Sequence, residues 1–346
     1  MLINHKGLAG KKPKLYISRL YLMAGTVYMK AIIGSRALDI LQNFPKGKIH
    51  SVFSKAFNAE FHGELLGFVN TREYLGPYTI CIWDGKPVWR ELEATRAICW
   101  DGGGFLVNGL EIMDFEHIDI YNFKPHIPVP ENIKNVKQNI FLLGGFLKEA
   151  NGRIAYDNLG IYSRLSCFVR DWGEFCRDKP VPTQFPPSAR SLIGLGQGLT
   201  PSGDDFISGF MLAVIYSYIY LESRSRADST GEKDAPDPAD KAVYPVVDIS
   251  ALVDGFLYFI RSNASKTHII SRQMLKAAAL GEGPKALTDL LECIFSCGIE
   301  KKRLADAALR VFSIGSTSGT YMVWGIYTAL SSIFENNCGG EPLEIS

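Results

Sequence analysis

The chain has 346 residues, 47% of them hydrophobic and 21% charged, and its 37 Lys and Arg against 36 Asp and Glu leave a formal net charge of +1. That length accommodates two domains with separate cores, and the composition is ordinary for a soluble globular protein. The balanced charge argues against nucleic acid as a partner, and the local basic run of Lys6, Lys11, Lys12 and Lys14 reads as a solvated end.

In chain order, Leu20 to Ile33 is interrupted by Lys30 and lacks a cleavage pattern, so no signal peptide is expected. Short β-rich runs separated by turn residues predict strands at 16–20, 48–53, 64–69, 78–83, 95–100 and 118–120, with one helix at 35–44 among them. Asp101-Gly102-Gly103-Gly104 predicts a bulged hairpin between two of these strands. Pro125, Pro128 and Pro130 then punctuate the chain, and beyond them the apolar period becomes helical. Leu159, Tyr162, Leu165, Val169, Trp172 and Phe175 form one stripe, Leu287, Leu290, Leu291, Ile294 and Phe295 a second, and Leu304, Ala308, Val311 and Phe312 a third. The predicted class is α+β: a β-rich domain over residues 1–124, then a mainly α-helical domain over 125–346. Phe206 to Leu221 is mostly apolar but shorter than the roughly 20 residues a membrane span needs, which predicts a buried helix and no membrane. Residues 223–242, polar and carrying Pro236 and Pro238, read as a disordered excursion. Seven scattered cysteines make no disulfide framework or metal spacing; Cys293 and Cys297 are expected in a core, and a reducing cytoplasm fits.

Chemistry concentrates in Gly194-Leu195-Gly196-Gln197-Gly198-Leu199-Thr200-Pro201-Ser202-Gly203-Asp204-Asp205, which opens the apolar run. Glycine keeps no side chain between a ligand and the main-chain N–H groups. Thr200 as N-cap and Pro201 at the first helical position define one helix start, and Ser202 with Asp205 a second, overlapping one. Either register predicts bare amides and the positive end of a helix dipole facing the glycines, a setting for an anion or a carbonyl. A glycine turn before a buried helix is also sound architecture, for which one acid suffices; Asp204 and Asp205 side by side need a further reason. One of them caps while the other faces the loop, where a divalent cation such as Mg2+ bridges the pair or one acid grips an N–H of the ligand; the sequence leaves these open. Neither a Walker loop nor a dinucleotide fingerprint is present.

His50 reads as a strand residue, and Lys266 with Thr267 as a cation and hydroxyl at a helix start, for a cap or a ligand. Aligning Ser202-Gly203 with Ser318-Gly319 superposes Gly209 on Gly325 and suggests two loop-to-helix units lining one cleft, the second supplying Thr317, Ser318 and Thr320 where the first supplies acids. The candidate site therefore has Asp204 and Asp205 as catalytic groups, with Gly194, Gly196, Gly198, Thr200, Ser202, Gly203, Lys266, Thr267, Ser318 and Gly319 as ligand-binding ones.

The run GLGQGLTPSGDDFISG, Gly194 to Gly209, resembles the signature of the bacterial AllH-like family. Lys48-Ile49-His50-Ser51-Val52-Phe53 with Asn58, Gly76-Pro77, Ser265 through Ser271, and Ile314 to Gly319 fit the same layout. Tyr321 departs from it, standing where an acid is expected. The resemblance implies an oxamate carbamoyltransferase subunit of allantoin and purine catabolism, moving a carbamoyl group between oxamate and phosphate with other subunits as partners and carbamoyl phosphate or oxamate as ligand. The alternatives are a non-catalytic assembly subunit, or a relative of ATP-dependent carboxylases. Ser188-Ala189-Arg190-Ser191 is an imperfect echo of the Ser-x-Arg-Thr phosphate loop of ordinary carbamoyltransferases and reads as a solvated helix start.

Overall fold

In the computed structural model, which describes residues 2–3, 29–53, 56–83, 92, 96–108, 110–127, 131–151, 159–178, 184–229, 248–296 and 298–334, the chain divides into two units, Met1–Phe123 and Lys124–Ser346.

The first unit holds strands β1 (Leu2–Ile3), β2 (Met29–Gly34), β3 (Lys46–Val52), β4 (Ala56–Phe61), β5 (Glu64–Val69), β6 (Thr79–Trp83), β7 (Ala97–Trp100), β8 (Gly104–Val107) and β9 (Leu110–Tyr121), with helix α1 (Ser35–Asn43) after β2. Their order is β9-β2-β6-β5-β4-β3-β7-β8, and β8 pairs back onto β9, so eight strands close a barrel with β1 added outside on β9. Closure leaves those eight strands without a free edge. Along β4 the side chains alternate, with Phe57, Ala59 and Phe61 fully buried. Phe57 stacks on Phe68 at 4.1 Å, and Phe68 meets Phe105 edge-on at 4.9 Å. Gly76 and Pro77 brace the start of α1: a methyl group on Gly34 would stand 2.4 Å from the Gly76 carbonyl oxygen, and the amide of Ala37 donates to Pro77 at 3.0 Å.

Most predicted strands lie within two residues of observed ones, and residues 118–120 are part of the longer β9. β1, β2, β4 and β8 were not anticipated: β2 passes directly into α1 at Gly34-Ser35, and β8 begins on a glycine. The hairpin at Asp101 is present, its carboxylate accepting the amides of Gly103 and Gly104 at 2.9 and 2.8 Å. The register irregularity expected there falls instead between β8 and β9, at Phe105/Leu106. The strand at 16–20 and the four N-terminal lysines lie outside the described residues.

The second unit is helical: α2 (Ile133–Asn151), α3 (Leu159–Asp178), α4 (Ser202–Ser229), α5 (Ile249–Asn263), α6 (Ile269–Ala279), α7 (Lys285–Ser296), α8 (Lys301–Phe312) and α9 (Ser318–Phe334). Every residue from Pro201 to Tyr218 is buried, so α4 is apolar all round because it is enclosed all round. It packs on α3, α5, α6, α7 and, most extensively, α9. Phe168 and Trp172 of α3 meet Phe210 of α4 edge-on at 5.0 and 4.8 Å. By length and composition Ser202–Ser225 could cross a membrane, and 78% of that apolar window is buried inside the protein. The helix also corrects the predicted excursion, since its first seven residues, 223–229, are helical. Extending a formed helix costs little per residue, and Ser223 returns its hydroxyl to the Ile219 carbonyl at 2.8 Å. Residues 230–247 lie outside the described residues, as does Cys297, whereas Cys293 is buried as expected.

Candidate functional site

The start of α4 differs by one residue from either predicted register. The Pro201 carbonyl accepts the amides of Asp204 and Asp205 at 2.9 and 3.0 Å, which makes Pro201 the capping position. Proline has no N–H to lose there. Thr200 is thereby freed from capping, and its hydroxyl lies 3.1 Å from that of Ser318 at the start of α9. The Ser202–Asp205 capping pattern is likewise absent, because the amide of Asp205 is taken by Pro201.

The two adjacent acids have different environments. Asp204 is fully buried; its Oδ1 accepts the Gly194 amide at 2.8 Å, and its Oδ2 accepts the hydroxyls of Thr267 and of Ser271, the latter at 2.7 Å. One carboxylate thus joins the beginning of the glycine loop, the start of α4 and the start of α6. Gly194 is required at that junction: its φ is +74°, and a methyl group on it would stand 1.9 Å from the Lys266 carbonyl oxygen. Thr267 is therefore not a cap; His268 occupies the capping position of α6, without a side-chain bond. Ser271 was absent from the predicted site. Its spacing of one helical turn from Thr267 was the signal.

Asp205 is 1% exposed, and its Oδ1 has no hydrogen-bond partner. Burial pushes its pKa up to about 8; the Ser318 hydroxyl pulls it back, the neighbouring Asp204 raises it, and the Thr200 hydroxyl again lowers it. Thr200, Asp205 and Ser318 thus meet where the starts of α4 and α9 come together.

The loop amides are only partly bare, which corrects the predicted row of free donors. Gly194 gives its N–H to Asp204, Gly203 gives its own to the Leu195 carbonyl at 2.9 Å, and those of Asp204 and Asp205 go to Pro201. Buried main-chain donors seek acceptors wherever the fold supplies them. Among the described residues, the amides of Gly196, Gln197, Gly198, Leu199 and Ser202 have no acceptor, and Gly196 to Leu199 are exposed. Two exposed cations stand beside the loop: Lys266, whose ammonium donates to the Arg190 carbonyl at 3.3 Å, and Arg190 itself, in a 3-10 turn (Pro187–Ser191) rather than a helix start.

The acids do not fit a shared Mg2+ site. Three hydrogen-bond donors point at Asp204, where a cation would need its lone pairs, and no group of three His, Cys, Asp or Glu gathers among the described residues. His50 is exposed on β3, with Nδ1 3.3 Å from the Ser51 hydroxyl, to which Asn58 donates at 3.1 Å.

The internal echo is a repeat in three dimensions. The amide of Gly319 donates to the Ile314 carbonyl at 3.0 Å as that of Gly203 does to Leu195, and Thr317 accepts the next two amides as Pro201 does. A methyl on Gly203 would meet the Leu192 oxygen at 2.0 Å, and one on Gly319 the Val311 oxygen at 1.8 Å. The first copy is three residues longer between its equivalent glycines, Gly196 and Gly315, and its helix. Gly209 packs on the Met322 carbonyl, and Gly325 packs on that of Phe206, the equivalent residue of the first copy. Tyr321, fully buried, takes the place in α9 that Asp205 takes in α4.

No curated protein and no solved structure matches the chain. Family models do match both units: the AllH family N-terminal domain over residues 28–120, and the oxamate carbamoyltransferase subunit AllH over residues 192–330, which takes in the loop, both helix starts and the α4–α9 pair. The chain belongs to the AllH family, whose description is that of an oxamate carbamoyltransferase subunit.

Proposed function

We propose that this AllH-family chain takes part, with partner subunits, in cytoplasmic carbamoyl transfer between oxamate and phosphate, and that its 194–205 loop and the start of α9 hold a small anionic ligand. The reaction would be oxalurate plus phosphate giving oxamate plus carbamoyl phosphate, a step of allantoin breakdown. The observation that carries the reading is the convergence of Thr200, Asp205 and Ser318 beside the unpaired amides of Gly196–Leu199 and Ser202. Carbamoyl transfer needs fixed donors for a developing oxyanion and a cradle for phosphate, and amides at a helix start suit both. Arg190 and Lys266 add positive charge at the loop entrance. In this reading Asp204 is a positioning residue that holds the loop's shape, and Asp205 is the acid available to the ligand.

A thermal-shift panel of carbamoyl phosphate, phosphate, oxamate and ATP, with and without magnesium, tests it on the wild type and on Asp205→Ala. At a hundredfold excess over Kd a ligand stabilises by about 2.7 kcal/mol, which raises Tm by roughly 5–10 °C in a domain of this size. The variant is expected to lose that shift while keeping its circular dichroism spectrum. One observation favours the second reading, an assembly subunit: Asp204 and five of the loop and helix-start amides are already engaged inside the protein. Under that reading no ligand shifts Tm, and the chain co-purifies with its partners.

A further inference from the structure

We infer that Asp205 is the specificity-determining residue that reads the nitrogen end of the ligand: an amide N–H2 of the bound molecule donates to its Oδ1, so the site prefers an anion bearing a primary amide to the same anion without one. The inference rests on the reading above that the loop holds the ligand, and adds the group by which it is recognised.

Three observations lead there. Asp205 Oδ1 is buried and unpartnered, while the oxygens of the adjacent Asp204 accept three hydrogen bonds. A buried acceptor left unmade is costly, and in a folded protein it marks a group kept for another partner. Apart from the Asp204 carboxylate, which is already occupied, the polar groups acting on it are the hydroxyls of Thr200 and Ser318, and Thr200 is followed two residues on by the unpaired amide of Ser202. A site with many donors and one deep acceptor is complementary to a molecule with an anionic end and an N–H2 end, such as oxamate. A plain anion would satisfy the amides yet leave the acceptor empty. Finally, the second copy of the repeat has Tyr321 where the first has Asp205, so it brings no carboxylate to match it. Asp205 is then the one acid of the repeat with an unpartnered oxygen, and the ligand has one orientation. Thr200, which contacts this acid, directly follows the exposed Gly196–Leu199 stretch in the chain.

Oxamate and pyruvate share a carboxylate and an adjacent carbonyl and differ in N–H2 against CH3, so calorimetric titration of the full chain with each, and with inorganic phosphate, isolates the nitrogen. Oxamate is expected to bind at least about tenfold more tightly than pyruvate, because a site built around a polar partner rejects the analogue lacking it. Asp205→Ala should bind the two alike, and oxamate no more tightly than the wild type binds pyruvate, too weakly to shift Tm. Equal binding of oxamate and pyruvate by the wild type, or a preference that survives in Asp205→Ala, overturns the inference and leaves the anion-binding reading standing. Absence of binding by oxamate, pyruvate and phosphate together overturns both. The wild-type comparison decides the matter even if the alanine variant does not fold.

Discussion

Gly325 of α9 lies directly on the carbonyl oxygen of Phe206 in α4, and a methyl group added there would stand 2.0 Å from it. Gly209 of α4 makes the same contact with Met322, also at 2.0 Å, so each helix of the repeat presses a glycine onto the other's main chain. Backbone cannot step aside as the end of a flexible side chain can. Gly209→Ala and Gly325→Ala are each expected to cost about 3 kcal/mol, the upper range for overpacking a core, read as a lower urea midpoint at unchanged m-value. A loss below about 0.5 kcal/mol, the range of neutral surface changes, would show that the helices separate freely.

Asp204 links three segments, so its removal should act on stability before it acts on any ligand. Asp204→Ala leaves the part-buried donors of Gly194 and Thr267 and the buried hydroxyl of Ser271 without an acceptor, and a loss of about 3–5 kcal/mol is expected. Asp204→Asn should also destabilise, since its N–H2 replaces an oxygen that accepts hydrogens. Ser271→Ala, worth about 1–2 kcal/mol alone, should cost almost nothing in the Asp204→Ala background. Additive losses in that cycle would dissolve the proposed network.

These two relationships show what the sequence could and could not reveal. The change of class near Phe123, the buried run after Asp205 and the apolar stripes were legible because burial imposes a period on side chains. The pairing of Ser202-Gly203 with Ser318-Gly319 was legible as a likeness; its meaning was not, because the register breaks by three residues inside the first loop. The division of labour between Asp204 and Asp205 was hidden for a different reason. Nothing local distinguishes two adjacent carboxylates; Thr267 and Ser271, more than sixty residues on, decide which is occupied. The bare-amide prediction failed in part because Leu195, Pro201 and Asp204 supply acceptors from within the same turn. Local sequence announces donors more readily than their partners.

Gly145 provides a contrast with Gly325. It is exposed in the middle of α2, with nothing within 4 Å of where a methyl would stand. Gly145→Ala should therefore stabilise the protein by about 0.5–1 kcal/mol, through helix propensity and a less free unfolded chain. Thermal denaturation should show a small rise in Tm, and a fall would mean that this face of α2 is packed against something.

Asp205 gives stability a pH dependence whose sign follows from its burial. Its carboxyl, with an ordinary value of 3.8, is pushed up to about 8 in the fold. Between those values the native protein keeps a proton that the unfolded chain has released. The free energy of unfolding must then decrease as pH rises through that interval, and the contribution is gone above about 8. Asp205→Asn carries no titrating proton, so its stability should gain on the wild type steadily from pH 5 to pH 8 and hold a constant difference beyond. Urea unfolding of both proteins at unit pH steps measures that difference directly. Parallel curves across the whole range would mean that Asp205 is ionised inside the fold, and would place a cation or a hydrogen-bond donor beside its Oδ1.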